Sequence, residues 1–199
     1  LIWGDSLAAH LYPGINNKYG LEFNIFQRTI GACKPYFKEN IKDKDFCSSI
    51  NNSIVEEILI LKPSKIFLSG FWKKEDLENI KTIIDFLKNK NINQIYLVGP
   101  SPRWHDPLPK ILYKEYRLKR KIPKYLPDEN HKKFFELDKL FMDFSVKNSI
   151  KYLSPIKILC KKNYTCLVKT ENASDSIVNW DENHFTEKAS KFIFSKFID

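Results

Sequence analysis

The sequence lacks several features that would assign it to a class at once. None of its apolar runs approaches the ~20 residues that a membrane-spanning helix needs, so these 199 residues predict no span. Its four cysteines form no C-x-x-C pair, which argues against a zinc site, and we expect neither a metal nor another cofactor. Hydrophobic residues make up 43% of the chain and aromatic residues 14%. This composition excludes a disordered chain and predicts one domain with a sizeable core.

The net charge of +9 permits an anionic partner such as nucleic acid, a phospholipid surface or an acidic glycan. The lysines are dispersed, however, and we interpret most of them as residues that solvate the surface. One stretch, from Lys110 to Lys124, places seven basic residues around Tyr113 and Tyr116. That mixture favours stacking on sugars or bases, or attraction to anionic headgroups, with a solvated basic helix as the alternative.

The cysteines are Cys33, Cys47, Cys160 and Cys166, and they allow three pairings. The local pairs, Cys33–Cys47 and Cys160–Cys166, would close short polar segments and are our first choice. Four reduced thiols are the alternative. Disulfides would indicate the periplasm or the cell exterior, where nucleic acid is not an expected partner.

Short apolar runs alternate with helical patterns along the first half of the chain, which predicts right-handed crossovers and a mainly parallel sheet. The sites of such sheets lie at the carboxyl ends of the strands. Ser6, Gly31, Gly70 and Gly99 all fall at or just beyond the carboxyl ends of predicted strands. The predicted strands are 1–3, 22–28, 65–70, 95–99 and 150–153, and the predicted helices are 7–12 (interrupted at Pro13-Gly14), 50–61, 75–88, 132–147 and a terminal helix capped by Thr186.

Residues 101–131 contain five prolines among aromatic and basic residues, which predicts an irregular insertion or lid. Within it, Arg103, Trp104 and His105 are candidate substrate contacts. The chain begins inside its first predicted strand, so we expect it to be a piece of a longer protein.

Two motifs at opposite ends of the chain carry the predicted chemistry. Gly4-Asp5-Ser6-Leu7 would expose a serine hydroxyl at a strand-to-helix turn, close to helix N–H groups. Asp181-x-x-His184 allows a carboxylate to hold one imidazole nitrogen while the other faces a nucleophile. Asp5 is expected to brace its turn, and His10 to point away from this chemistry.

These motifs resemble the first and last blocks of the SGNH (GDSL) hydrolase family, whose fold is a flavodoxin-like, three-layer α/β sandwich. The chain is most similar to SGNH domains fused behind bacterial membrane-bound acyltransferases that O-acetylate surface polysaccharides. Other segments carry the same likeness: Gly31-Ala32-Cys33-Lys34-Pro35, Gly70-Phe71-Trp72, Gly99-Pro100-Ser101-Pro102-Arg103, Cys160 with Cys166, and Asp181-Glu182-Asn183-His184-Phe185.

The resemblance implies a nucleophile at Ser6, a general base at His184 and an orienting carboxylate at Asp181. It also implies oxyanion donors at the backbone N–H groups of Ser6 and Gly31. The family's third block has an asparagine where this chain has Trp72. Either the Trp72 indole N–H replaces the missing amide, or Trp72 only packs beside the site.

The implied activity is O-acyl transfer, with acetyl as the expected group, between an acyl donor and a polysaccharide or glycan acceptor. The implied location is the periplasm, with a membrane acyltransferase domain in the same polypeptide. The alternatives are a carbohydrate O-acetylesterase, a non-catalytic glycan-binding module, and a basic domain that docks on a membrane or on nucleic acid.

Overall fold

The computed structural model describes residues 1–37, 45–171, 173 and 176–197. The chain forms two compact units. The first unit comprises residues 1–9, 26–99 and 140–153, and the second comprises residues 10–25, 100–139 and 154–199. Part of the polar segment between Cys33 and Cys47 lies outside the described residues.

The first unit is built on a five-stranded parallel sheet with the strand order β2-β1-β3-β4-β6. Counted within the sheet, this is the 2-1-3-4-5 order of flavodoxin-like folds. The sheet confirms the prediction of a mainly parallel sheet. Its strands are β1 (Ile2–Gly4), β2 (Gln27–Thr29), β3 (Ile66–Ser69), β4 (Ile95–Val98) and β6 (Lys151–Leu153).

The three central strands carry the core of this unit, because every residue of β1, β3 and β4 is buried. Trp3 in β1 is fully buried, and its indole N–H donates to Asn51 Oδ1 at 2.7 Å. Asn51 belongs to α3, which begins behind an Asp45 cap whose side chain accepts from Ser48 N–H. The helices of this unit are α1 (Ser6–Ala9), α3 (Phe46–Leu61) and α4 (Asp76–Asn89).

The second unit contains mostly helices and a small antiparallel pair of strands. Gly14 in α2 packs directly on α8, since a Cβ atom there would lie 2.3 Å from the Ser190 carbonyl oxygen. Its elements are α2 (Tyr12–Tyr19), α5 (Leu108–Lys119), β5 (Tyr125–Pro127), α7 (Pro155–Leu159), β7 (Thr165–Leu167) and α8 (Glu187–Lys196). Helix α6 spans His131–Lys147, with residues 131–139 counted in the second unit and 140–147 in the first.

Three sequence predictions for these elements were wrong. Pro13 does not interrupt a helix but lies in the first turn of α2, where proline's missing N–H and fixed φ are tolerated. Strand β2 begins at Gln27 rather than residue 22, because Glu22 N–H and Phe23 N–H bond to Tyr19 O at the end of α2. Residues 101–131 are not irregular, since they contain α5 and β5.

Both local disulfides predicted from the sequence are present, Cys33–Cys47 in the first unit and Cys160–Cys166 in the second. Thr186 caps α8 as expected, accepting a hydrogen bond from Ala189 N–H. In the described part of the chain, no helix is both long enough and apolar enough to cross a bilayer.

Candidate active site

Ser6 is the first residue of α1, and a single residue, Asp5, separates it from the carboxyl end of β1 at Gly4. The turn is braced by Asp5, which is almost fully buried. Asp5 Oδ1 accepts from Leu7 N–H at 2.8 Å, and Asp5 Oδ2 accepts from Phe71 N–H at 2.7 Å. This arrangement confirms the bracing role expected for Asp5 and links the Ser6 turn to the segment after β3.

Gly4 makes this turn possible because β1 approaches β3 too closely for any side chain. A Cβ atom at Gly4 would lie 1.8 Å from the Ser69 carbonyl oxygen and 2.6 Å from Ala8 Cβ. The glycine of the Gly-Asp-Ser motif is therefore required by packing, independently of any chemistry at Ser6.

Trp72 does not offer its indole N–H to an oxyanion, which corrects one of the two roles considered for it. The side chain is 3% exposed, and its Nε1–H donates to the Val98 carbonyl oxygen at 2.8 Å. Trp72 N–H is also engaged, by Gly70 O. The ring stacks on Phe141. Trp72 is thus a core residue of the first unit.

Gly31 lies in an exposed turn after β2, where Cys33 N–H bonds to Ile30 O at 3.1 Å. Ala32 holds this turn in a left-handed conformation with φ 62°. A Cβ atom added at Gly31 would meet nothing within 4 Å. The space on the Cβ side of Gly31 is therefore open.

Asp181 and His184 form a directly bonded pair in the second unit. His184 Nδ1 lies 2.6 Å from Asp181 Oδ2. The other carboxylate oxygen, Oδ1, accepts from Asn183 N–H at 2.9 Å and from His184 N–H at 2.7 Å. The three-residue spacing therefore does what the sequence predicted, since one carboxylate fixes both the backbone and the ring of His184.

The Asp181 carboxylate remains ionised in this setting. Burial pushes its pKa upward, but the hydrogen bonds from His184 N–H, Asn183 N–H and the His184 ring together outweigh burial and hold the pKa below its usual value. An ionised carboxylate accepts a hydrogen bond, so Nδ1 of His184 carries the proton and Nε2 carries the basic lone pair.

The sequence suggested that His10 points away from the catalytic residues. In the structure it lies beside His184 instead. Its Nδ1 accepts a hydrogen bond from Phe185 N–H at 3.0 Å. The His10 and His184 rings meet edge to face, with centroids 5.9 Å apart. Burial, reinforced by the neighbouring His184, lowers the pKa of His10 to about 3. His10 is therefore neutral at physiological pH, with its proton on Nε2.

The segment after β4 supports the loop that carries Asp181. Trp104 N–H donates to Glu182 O at 2.9 Å, and Leu108 N–H donates to Asp181 O at 3.1 Å. Trp104 itself is 1% exposed, and its indole N–H donates to Asn179 Oδ1 at 3.1 Å. The predicted substrate contact of Trp104 is therefore wrong, because its ring is buried and supports the loop that carries Asp181.

His105 remains accessible and belongs to a second Asp–His pair. Its Nδ1 lies 2.6 Å from Asp128 Oδ2, and its backbone N–H donates to the same oxygen at 3.0 Å. The His105 side chain is 49% exposed, whereas the Asp128 side chain is 1% exposed. Sequence reasoning missed Asp128, because 23 residues separate the pair and no motif connects them.

The basic stretch is partly neutralised within α5 and its approach. Asp106 pairs with Lys110 and Lys114, and Glu115 pairs with Lys119. These contacts favour the solvated-helix interpretation for that part of the stretch. Within the described ranges, no group of three or more His, Cys, Asp or Glu side chains could hold a metal ion.

The fold and these residues define a flavodoxin-like α/β protein with a serine at the first strand-to-helix turn and a bonded Asp–His pair near its carboxyl end. The whole chain, residues 1–199, matches the family described as SGNH domain (fused to AT3 domains). The chain belongs to this family, as its motifs predicted.

Among solved structures, the chain is similar to the periplasmic domain of a lipopolysaccharide acetyltransferase from Salmonella ser. Paratyphi A. The two are 27% identical with a TM-score of 0.84, over 98% of this chain and 80% of that one. This likeness confirms the predicted three-layer α/β fold class. No curated protein matches the chain.

Two more distant structures support the fold alone. A proposed acylhydrolase from Bacteroides fragilis is 12% identical with a TM-score of 0.53, over 96% of this chain and 80% of that one. A proposed platelet activating factor from Streptococcus pneumoniae is 14% identical with a TM-score of 0.51, over 96% of this chain and 78% of that one.

Proposed function

We propose that this protein is an O-acyltransferase, with acetyl as the transferred group and a cell-surface polysaccharide or glycan as the acceptor. The observation that carries the proposal is the bonded Asp181–His184 pair, with Nδ1 to Oδ2 at 2.6 Å, in a member of the SGNH family. The likeness to a lipopolysaccharide acetyltransferase domain supports transfer to a glycan.

In the proposed mechanism, Ser6 Oγ attacks the carbonyl carbon of the acyl donor while His184 Nε2 takes the hydroxyl proton. The donor's leaving group departs with that proton, and the acyl group stays on Ser6 Oγ. An acceptor hydroxyl then gives its proton to Nε2 and attacks the acyl carbon. The Ser6 oxygen leaves and recovers the proton, so the enzyme returns to its starting state.

Asp181 orients His184 and stabilises the imidazolium that forms in both half-reactions. The backbone N–H groups of Ser6 and Gly31 are the proposed oxyanion donors. The Trp72 indole takes no part, since it is committed to Val98 O. One oxyanion donor is worth about 10²–10³ in rate, so we expect slower turnover than in a relative that keeps the third donor.

The proposed setting is extracytoplasmic, with this domain joined to a membrane acyltransferase domain in the same polypeptide. The family description, with its fusion to AT3 domains, supports that arrangement. Two disulfides support an oxidising compartment. Arg103 and His105 remain candidate contacts to the substrate.

The test is a comparison of the wild-type protein with its Ser6→Ala variant. We expect Ser6→Ala to abolish turnover of p-nitrophenyl acetate above the uncatalysed rate, and to remove glycan O-acetylation in cells that depend on the protein. An esterase is indicated if Ser6→Ala abolishes turnover of p-nitrophenyl acetate in vitro but leaves glycan acetylation in cells unchanged. Equal turnover by both proteins above the uncatalysed rate would refute a serine mechanism. Turnover by neither protein above that rate would favour a glycan-binding module.

A further inference from the structure

Trp180 is 59% exposed although it lies directly beside His184. Tryptophan has a large apolar surface, and in folded proteins most of that surface is buried. The three other tryptophans, Trp3, Trp72 and Trp104, are each 3% exposed or less. Of the four tryptophans, Trp180 is thus the one whose ring a ligand can reach.

The backbone sets the position of this indole relative to His184. Asn179 and Phe185 form an antiparallel bridge, and Trp180 N–H donates to His184 O at 3.1 Å. Residues 179–185 thus form a tight hairpin. The pair Asn179–Phe185 and the next pair, Trp180–His184, lie on opposite faces of it. Asn179 and Phe185 are buried, while the indole and imidazole stack on each other at 5.1 Å with a 19° angle between their planes.

We propose that Trp180 is the platform on which a pyranose ring of the acceptor rests during acyl transfer. This inference rests on the proposed function. The attacking hydroxyl must come within about 2.6–3.2 Å of the general base. A pyranose presents an apolar C–H face and a hydroxyl-bearing edge. The exposed indole is suited to pack against the C–H face. The adjacent imidazole is suited to accept a proton from a hydroxyl group on the edge.

The remaining contacts of the loop make the platform rigid. Trp104 and Leu108 hold the carbonyl groups of Glu182 and Asp181 from one side, and His10 holds Phe185 N–H from another. A fixed aromatic surface loses little conformational entropy when a ligand covers it. Trp180 is thus suited to select sugars over water at the second half-reaction, where both compete for the acyl group.

A second role for the same stack predicts a different result. An indole beside a protonated imidazole stabilises the imidazolium, and this effect would act in both half-reactions, whatever the acceptor. Removal of the indole would then slow transfer to every acceptor by the same factor. The sugar platform instead predicts that the choice between acceptors changes.

The experiment measures how the acetyl group on Ser6 is divided among sugar, glycerol and water. The protein is given p-nitrophenyl acetate together with a panel of methyl pyranosides, or with glycerol as an acyclic hydroxyl source at the same hydroxyl concentration. Acetylated sugar, acetylated glycerol and acetate are quantified by mass spectrometry. The division is compared among wild type, Trp180→Phe and Trp180→Leu, with Phe46→Leu as the control, because Phe46 is also an exposed aromatic residue (70%) but lies on α3.

We expect wild type to prefer at least one pyranoside over glycerol. Trp180→Leu should lower the yield of acetylated sugar relative to acetate about tenfold, while Trp180→Phe should retain most of it and Phe46→Leu all of it. An unchanged division in Trp180→Leu, or no pyranoside preference in wild type, would overturn the inference. Unchanged division with lost acetylation in cells would assign Trp180 to a protein partner instead. Absence of Ser6-dependent turnover would reject the proposed function itself.

Discussion

His10 Nδ1 accepts a hydrogen bond from the backbone N–H of Phe185 at 3.0 Å. Phe185 directly follows the proposed general base, His184. The two imidazole rings lie edge to face. Because burial keeps His10 neutral, it holds the loop without placing a second positive charge against His184 when that ring is protonated. His10 is thus a positioning residue for the Asp181–His184 pair.

Replacing His10 by leucine should therefore slow turnover of p-nitrophenyl acetate by about ten- to a hundredfold, with most of the loss in kcat. The change leaves Phe185 N–H without its acceptor, and small displacements of a catalytic group have effects of this size. His10→Asn offers an oxygen acceptor and should recover part of the loss. Equal kcat values for the leucine variant and wild type would refute the positioning role.

The stability of the protein should fall in acid, partly because of His10. Its folded pKa of about 3 lies below the ordinary value of 6.5, so the unfolded state binds more protons between these values. Stability is therefore lost as the pH falls from 6.5 towards 3, with a slope of up to about 1.4 kcal/mol per pH unit from this group. Urea unfolding between pH 4 and pH 7.5 measures the slope.

The matched variant for this measurement is His10→Asn, which cannot take up the proton. Its stability should depend less steeply on pH than that of wild type. Burial also lowers the pKa of His131, so His131 likewise reduces stability in acid. This contribution is the same in both proteins and cancels in the comparison. Parallel curves for the two proteins would show that His10 is not the group responsible.

Gly4→Ala should destabilise the protein by about 3 kcal/mol or prevent folding, because the new Cβ atom would meet the Ser69 carbonyl oxygen and Ala8. Gly31→Ala is the matched control, since its Cβ atom would meet nothing within 4 Å and its stability should change by less than about 0.5 kcal/mol. Denaturant unfolding checks both. Equal stabilities would contradict the close approach of β1 to β3.

The sequence was sufficient to predict local features with strong physical signatures. The Thr186 cap, the bracing of the turn by Asp5 and the bonding of Asp181 to His184 all follow from side chains that act within a few residues. The parallel sheet followed from the alternation of apolar runs with helical patterns. Residue spacing and residue type were enough at each of these places.

Long-range partners could not be predicted in the same way. Nothing in the sequence indicates that the Trp72 indole bonds to Val98 O, or that His10 bonds to Phe185, which is 175 residues away. Proline was also misleading, because Pro13 begins α2 rather than ending a helix. Such contacts depend on how distant segments pack, which a single sequence does not specify.

Asp181→Asn should lower kcat for p-nitrophenyl acetate by about 10⁴-fold, the scale observed when a triad carboxylate becomes an amide. The amide can donate to Nδ1, which would move the imidazole proton to Nε2 and remove the basic lone pair that Ser6 needs. The loss should shrink at alkaline pH, where hydroxide can replace the base. Glu182→Gln, a neighbouring change of the same charge, is the control and tests whether charge alone is responsible. A pH–rate profile of Asp181→Asn that matches wild type would show that Asp181 does not orient the base.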